Sequence, residues 1–168
     1  VDNTAPVVDS VSISPDPAYN DGTLTCTANT SDVDNETLSV AYSWYNPNKA
    51  DYLGAGSSVT LDFETASPGD TIECTVTVTD ESGEEASSTT SITIGNRAPD
   101  TPTVSIAPDP AYNDGTLTCS YSASDADEDT LTATYSWYNP NKSDYLGGDS
   151  TADLDFELAS PGDTIECT

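Results

Sequence analysis

Apolar residues recur at every second position through most of the chain. Val11 and Ile13 alternate in one segment, and Leu24, Cys26 and Ala28 in the next. Leu38, Val40, Tyr42 and Trp44 share one face of a third. Val59, Leu61 and Phe63 mark another, and Ile72, Cys74, Val76 and Val78 form the most regular run, with threonines between them. Ile92 and Ile94 mark a last segment. A period of two places alternate side chains on opposite faces of a strand, and no stretch shows the 3.6 period of a helix. Turn residues separate the segments: Pro15, Pro17 and Asn20-Asp21-Gly22, then Asn46-Pro47-Asn48, then Ser67-Pro68-Gly69. The Asp-Gly step suits a positive φ. The pattern predicts an all-β chain of short antiparallel strands.

The chain repeats itself. Residues 3–75 align with 96–168 at an offset of 93 without a gap, and 50 of the 73 aligned positions are identical. Pro15–Cys26 recurs as Pro108–Cys119, Tyr42–Lys49 as Tyr135–Lys142, and Ala66–Thr75 as Ala159–Thr168. The expected domains are therefore 1–95 and 96–168, each the size of a small β-sandwich of about seven strands. The second copy stops before its last strands, as a fragment of a longer array would. The alternative is a strand supplied by a neighbouring molecule. Val1 is not a start residue, so removal of a preceding segment is expected.

Each repeat holds two cysteines, Cys26 with Cys74 and Cys119 with Cys167. Four cysteines allow three pairings, and only pairing within each repeat respects the repetition. Trp44 and Trp137 fall between the partners. This Cys…Trp…Cys order resembles the immunoglobulin fold, in which a bridge joins two sheets and the tryptophan packs on it. The stretch Asp32-Val33-Asp34-Asn35-Glu36-Thr37-Leu38, followed by Tyr42-Ser43-Trp44, resembles bacterial cadherin-like and polycystic-kidney-disease-type repeats. So do Pro68-Gly69-Asp70 before Thr75–Asp80, and the Asn-x-Ala-Pro segments at Asn3 and Asn96. The resemblance implies tandem immunoglobulin-like antiparallel β-sandwiches with one inter-sheet disulfide per repeat. It also implies secreted prokaryotic surface proteins, filaments or adhesins. The sequence departs from the family after the tryptophan, where Trp44-Tyr45-Asn46-Pro47 stands, and at Arg97, where an acid would help hold a cation.

Composition narrows the function. Thirty Asp and Glu oppose three Lys and Arg, a formal charge of −27. Such a chain lacks the clustered cations that nucleic acid requires, and an anionic membrane repels it. There is no His, which removes His-based acid–base and nucleophile systems and the usual zinc sites. No apolar run approaches the ~18 residues of a membrane span. Disulfides place the protein outside the cytosol.

Two sets of candidate residues remain. Asp32, Asp34 and Glu36, repeated as Asp125, Asp127 and Asp129, place alternating carboxylates on a short loop, and Ca²⁺ takes six to eight oxygen ligands. The acidic loop at 80–85 is expected at the same pole. Asp70, at the opposite pole of the first repeat, is the further ligand expected if an ion sits at the repeat junction, a position at which Arg97 is the alternative source of positive charge. Tyr45 and Tyr52, with Tyr138 and Tyr145, are expected on an outward face, able to stack on sugars or enter an interface. Lys49 and Lys142 occupy matching turns. The expectation is a non-enzymatic structural repeat of a long extracellular filament, stalk or adhesin, stiffened by its disulfides and short linkers. Its expected partners are neighbouring repeats of the same chain, together with self-assembly or a cell-surface partner. The alternative is an accessory carbohydrate- or surface-binding module of a secreted hydrolase.

Overall fold

A computed structural model of the chain describes residues 2–168. The described residues are all β and loop, in two units, the first ending at Arg97 and the second beginning at Ala98. Arg97 stays with the first unit because its guanidinium pairs with Asp21 at 3.1 Å and lies 4.7 Å over the Tyr19 ring.

The first unit has seven strands: β1 (Val7–Ser14), β2 (Thr23–Ser31), β3 (Ser39–Asn46), β4 (Asp51–Ala55), β5 (Ser58–Thr60), β6 (Thr71–Thr79) and β7 (Glu85–Thr93). They form two antiparallel sheets, ordered β1-β2-β5 and β4-β3-β6-β7. Along β6 the alternation is complete: Ile72, Cys74, Val76 and Val78 are fully buried, with half-exposed Thr and Glu between them. The outward threonines pair across strands, Thr75 Oγ1 lying 2.8 Å from Thr89 Oγ1. Leu24, Trp44, Leu61, Ile72, Val76 and Ile94 close around the Cys26–Cys74 bridge. Cys26 is on β2 and Cys74 on β6, so the bridge joins the two sheets. The buried Trp44 indole satisfies its one donor by giving Nε1–H to Gly56 O at 2.9 Å.

The second unit repeats this plan with β8 (Thr103–Ala107), β9 (Thr116–Ser122), β10 (Trp137–Asn139), β11 (Asp144–Gly147), β12 (Thr151–Asp153) and β13 (Glu166–Cys167). The sheets run β12-β9-β8 and β11-β10-β13, joined by Cys119–Cys167. Trp137 is buried and donates to Asp149 O at 2.9 Å.

The sequence pattern and the strands differ at several points. Phe63 is not on a strand. Asp62 Oδ1 accepts from the backbone N–H of Glu64 and Thr65, folding the chain into a turn after β5 and leaving Phe63 38% exposed. Leu38 lies just outside β3. Ile94 lies beyond β7, bridging to Ala18. The turn at Tyr19–Gly22 forms, with Gly22 N–H donating to Tyr19 O at 3.2 Å, but without a positive φ at Gly22. The glycine serves a close approach instead, since a Cβ there would sit 3.3 Å from that same oxygen. The strand β4 escapes the pattern because only Tyr52 and Leu53 in it are large. In the second unit β10 spans three residues against the eight of β3, and β13 spans two.

Candidate functional site

Three loops meet at one pole of the first unit. Between β2 and β3 the chain turns through Asp32–Glu36, with Asp32 Oδ1 accepting from Asp34 N–H at 2.7 Å and Asn35 in the left-handed region (φ 57°). Asparagine tolerates that conformation better than most residues. Between β6 and β7, Asp80 Oδ1 accepts from Glu84 N–H at 2.8 Å. Ser82 Oγ donates to Glu36 Oε1 at 2.9 Å and ties the two loops together. The N-terminal segment closes the pole: Asn3 Nδ2 donates to Asp80 Oδ2 at 3.0 Å, and Thr4 N–H to Asp34 Oδ2 at 2.8 Å.

The result is an oxygen-lined recess. Carboxylate oxygens of Asp32, Glu36 and Asp80 lie within 4.8 Å of one another, and among the described residues this is the one set of three acidic groups so close. Asp80 is buried. Its carboxyl is held below the usual value chiefly by the Asn3 hydrogen bond, against the upward push of burial. Asp32 Oδ2 and Glu36 Oε2 are buried and accept no hydrogen bond from the protein. Buried anionic oxygens without a donor are costly, and a hard divalent cation is a group that would satisfy them.

The expected triplet is thus redistributed. Asp32 and Glu36 face the recess, Asp34 is exposed and committed to Thr4, and Asp80 takes the third place. The sequence marked the 80–85 loop as acidic without singling out Asp80. Its burial as the last inward position of the β6 alternation is the signal that finds it. Asp70 has a different post in the first unit: its Oδ2 accepts from Asn46 Nδ2 at 2.9 Å and Ser67 N–H at 3.0 Å. In the second unit the triplet closes on itself. Asp125 Oδ1 accepts from the N–H of Asp127 and Asp129, Asp127 is buried, and the three carboxylates are not gathered as in the first unit. Asp125 Oδ2, like Asp32 Oδ2, is buried and accepts no hydrogen bond. The position equivalent to Asp80 falls after Thr168.

The tyrosines form two matching pairs. A bulge at Leu53 brings Tyr45 opposite Tyr52 while Trp44 faces Gly54, whose φ of 133° suits glycine alone. The same bulge sets Tyr138 opposite Tyr145 and Trp137 opposite Gly147, φ 138°. All four rings are exposed, Tyr52 and Tyr145 by 61% and 63%. Lys49 and Lys142 are engaged with backbone, donating Nζ–H to the carbonyls of Glu64 and Glu157.

Sequence reasoning gave Asn46 and Asn139 only the role of ending a strand. Both are fully buried. Asn46 Nδ2 donates to Thr65 O and Asp70 Oδ2, and its Oδ1 accepts from Asn48 and Lys49 N–H. Asn139 repeats every one of these bonds with Leu158, Asp163, Asn141 and Lys142.

No protein-family model matches the chain, and no curated protein sequence matches it. No helix is long and apolar enough to cross a membrane among the described residues. The two disulfides are consistent with an oxidising environment.

Proposed function

We propose that the chain is a pair of immunoglobulin-like structural repeats from an extracellular filament, stalk or adhesin, without enzymatic activity. The observation that carries this reading is the recurrence of one mechanical plan. Each copy has a bridge between its two sheets over a buried tryptophan, and an asparagine that locks two turns. The strand order of the first unit, with three strands against four, supports an immunoglobulin-like reading of its sandwich. Stacked repeats gain stability from their neighbours and extend a chain at little cost in sequence invention. Electron microscopy of the native cell surface, with an antibody to the repeat, tests the reading. Label along filaments or stalks is expected; label confined to a soluble secreted hydrolase contradicts it.

The acidic recess fits a Ca²⁺ ion held by Asp32, Glu36 and Asp80 as a stiffener of this pole. Its donors are hard oxygens, and two of them have no other partner. The exposed tyrosine pairs favour a second reading, an accessory module that stacks Tyr45, Tyr52, Tyr138 and Tyr145 on sugar rings. Glycan titration followed by tyrosine fluorescence separates the two. Saturable quenching lost in Tyr52→Ala with Tyr145→Ala supports the accessory module, and no response supports the structural one.

A further inference from the structure

Three asparagines open an Asn-x-Ser/Thr triplet in which x is not proline: Asn29-Thr30-Ser31, Asn35-Glu36-Thr37 and Asn141-Lys142-Ser143. In a secreted chain such a triplet is the acceptor of an N-linked glycan. Triplets of this kind arise by chance where Ser and Thr abound, so their structural setting decides among them.

At Asn29 both groups that the modification needs are taken. Asn29 lies in the β1–β2 ladder opposite Ser10, and its Nδ2 donates to Ser10 Oγ at 2.8 Å. Ser31 Oγ donates to Asp9 Oδ1 at 3.0 Å. Asn141 is accounted for by the fold. Its Oδ1 accepts from Thr164 N–H at 2.8 Å, and Asn48 makes the same bond to Thr71 N–H in the first unit, where Ala50 leaves no triplet. Asn35 differs from both. Residues 35–37 lie between β2 and β3, outside either strand, and Asn35 and Thr37 are exposed on either side of a half-buried Glu36. Among the described residues no group holds the Asn35 side-chain amide or the Thr37 hydroxyl. The turn does not require the asparagine, because Glu128 at the repeat offset takes the same left-handed conformation, φ 59° against 57°. The backbone that presents the pair is tied down nonetheless, Glu36 by Ser82 and Asp34 by Thr4.

We propose that Asn35 carries an N-linked glycan. The donor class is an oligosaccharide joined through its anomeric carbon to a lipid phosphate. Asn35 Nδ2 attacks that carbon: the N–C bond forms, the C–O bond to phosphate breaks, the lipid phosphate leaves with the electron pair, and Nδ2 gives up one proton. The Asn35 backbone N–H keeps its bond to Asp32 O, so the turn survives the modification. The glycan sets a bulky, solvated group beside the acidic recess and outside the Asp32, Glu36 and Asp80 set. The assignment rests on the extracellular reading, since N-linked acceptors belong to secreted chains.

The test is a reduced Asp-N protease digest of protein from its native source, read by mass spectrometry. Cleavage ahead of aspartate puts each triplet on its own peptide: residues 21–31, 32–50 (or 34–50) and 129–143. Expected is a sugar-chain mass increment located to Asn35 by fragmentation, with the other two peptides at their unmodified masses. In chains expressed in the same host, Thr37→Ser should keep the increment and Thr37→Ala should lose it, with the Cys26–Cys74 bridge intact to show that the unit has folded. A bare Asn35 overturns the proposal, as does an increment that survives Thr37→Ala. Sugar on Asn29 or Asn141 overturns the structural selection of Asn35. A bare Asn35 in protein that microscopy places on filaments or stalks overturns the glycan alone. A bare Asn35 in protein retained in the cytosol with free thiols overturns the extracellular reading with it.

Discussion

Asn46 shows how much of the fold one polar side chain organises. It is fully buried and all its hydrogen-bonding groups are used, joining the turn after β3, the turn at Thr65 and the carboxylate of Asp70. Asn46→Ala breaks four hydrogen bonds at once, to the half-buried Thr65 carbonyl, two backbone amides and the Asp70 carboxylate, so a loss of about 2 kcal/mol is expected in denaturant unfolding. A loss below 0.5 kcal/mol, within the range of an ordinary surface change, would count against the lock. Asp163 extends the argument to pH. Its carboxyl is held below the usual aspartate value, first by the Asn139 side chain and then by Ser160 N–H. A carboxyl whose pKa is depressed by folding adds stability above its unfolded value, and this is lost as pH falls through the folded value. Protonation also relieves the repulsion of a chain charged −27, which acts in the opposite sense. The test is therefore a difference. Asp163→Asn should narrow its stability gap to the wild type as pH drops below about 4, and a constant gap would refute the assignment. At the acidic recess, millimolar Ca²⁺ should raise the melting temperature by binding the folded state alone. Glu36→Gln should abolish that shift, while Asp34→Asn should leave most of it, because Asp34 Oδ2 is taken by Thr4 N–H and Asp34 lies outside the Asp32, Glu36 and Asp80 set.

Strands with strong alternation were legible, and strands defined by their partners were not. β6 reads directly from Ile72, Cys74, Val76 and Val78. β4 has only Tyr52 and Leu53 to announce it and exists because β3 offers an edge. Phe63 continues an apolar alternation on paper, yet Asp62 captures two backbone amides and turns the chain first. The same distinction governs the recess. Asp32 and Glu36 stand out in their own loop, whereas Asp80 joins them only because two loops 46 residues apart meet through Ser82 and Glu36. The bridges act at this scale too. Cys26–Cys74 ties β2 to β6 across a separation of 48 residues. Closing a loop of about 50 residues is worth roughly 4 kcal/mol in the chain-entropy model. Cys26→Ala with Cys74→Ala is expected to destabilise the first unit by about 2–5 kcal/mol in chemical denaturation. An unchanged midpoint would contradict a bridge across its core.

For the whole molecule, the central claim is one disulfide-bolted sandwich built twice, its bridges consistent with an oxidising environment. The most direct test uses an accident of composition. The three cations, Lys49, Arg97 and Lys142, separate the four cysteines, so trypsin leaves Cys26, Cys74, Cys119 and Cys167 on four different peptides. Mass spectrometry of a non-reduced digest of protein from its native source should find the Cys26 peptide that ends at Lys49 linked to 50–97, and 98–142 linked to the Cys167 peptide that begins at Ser143. Free thiols at these positions, or a link between the first pair and the second, would contradict the repeated, bridged fold.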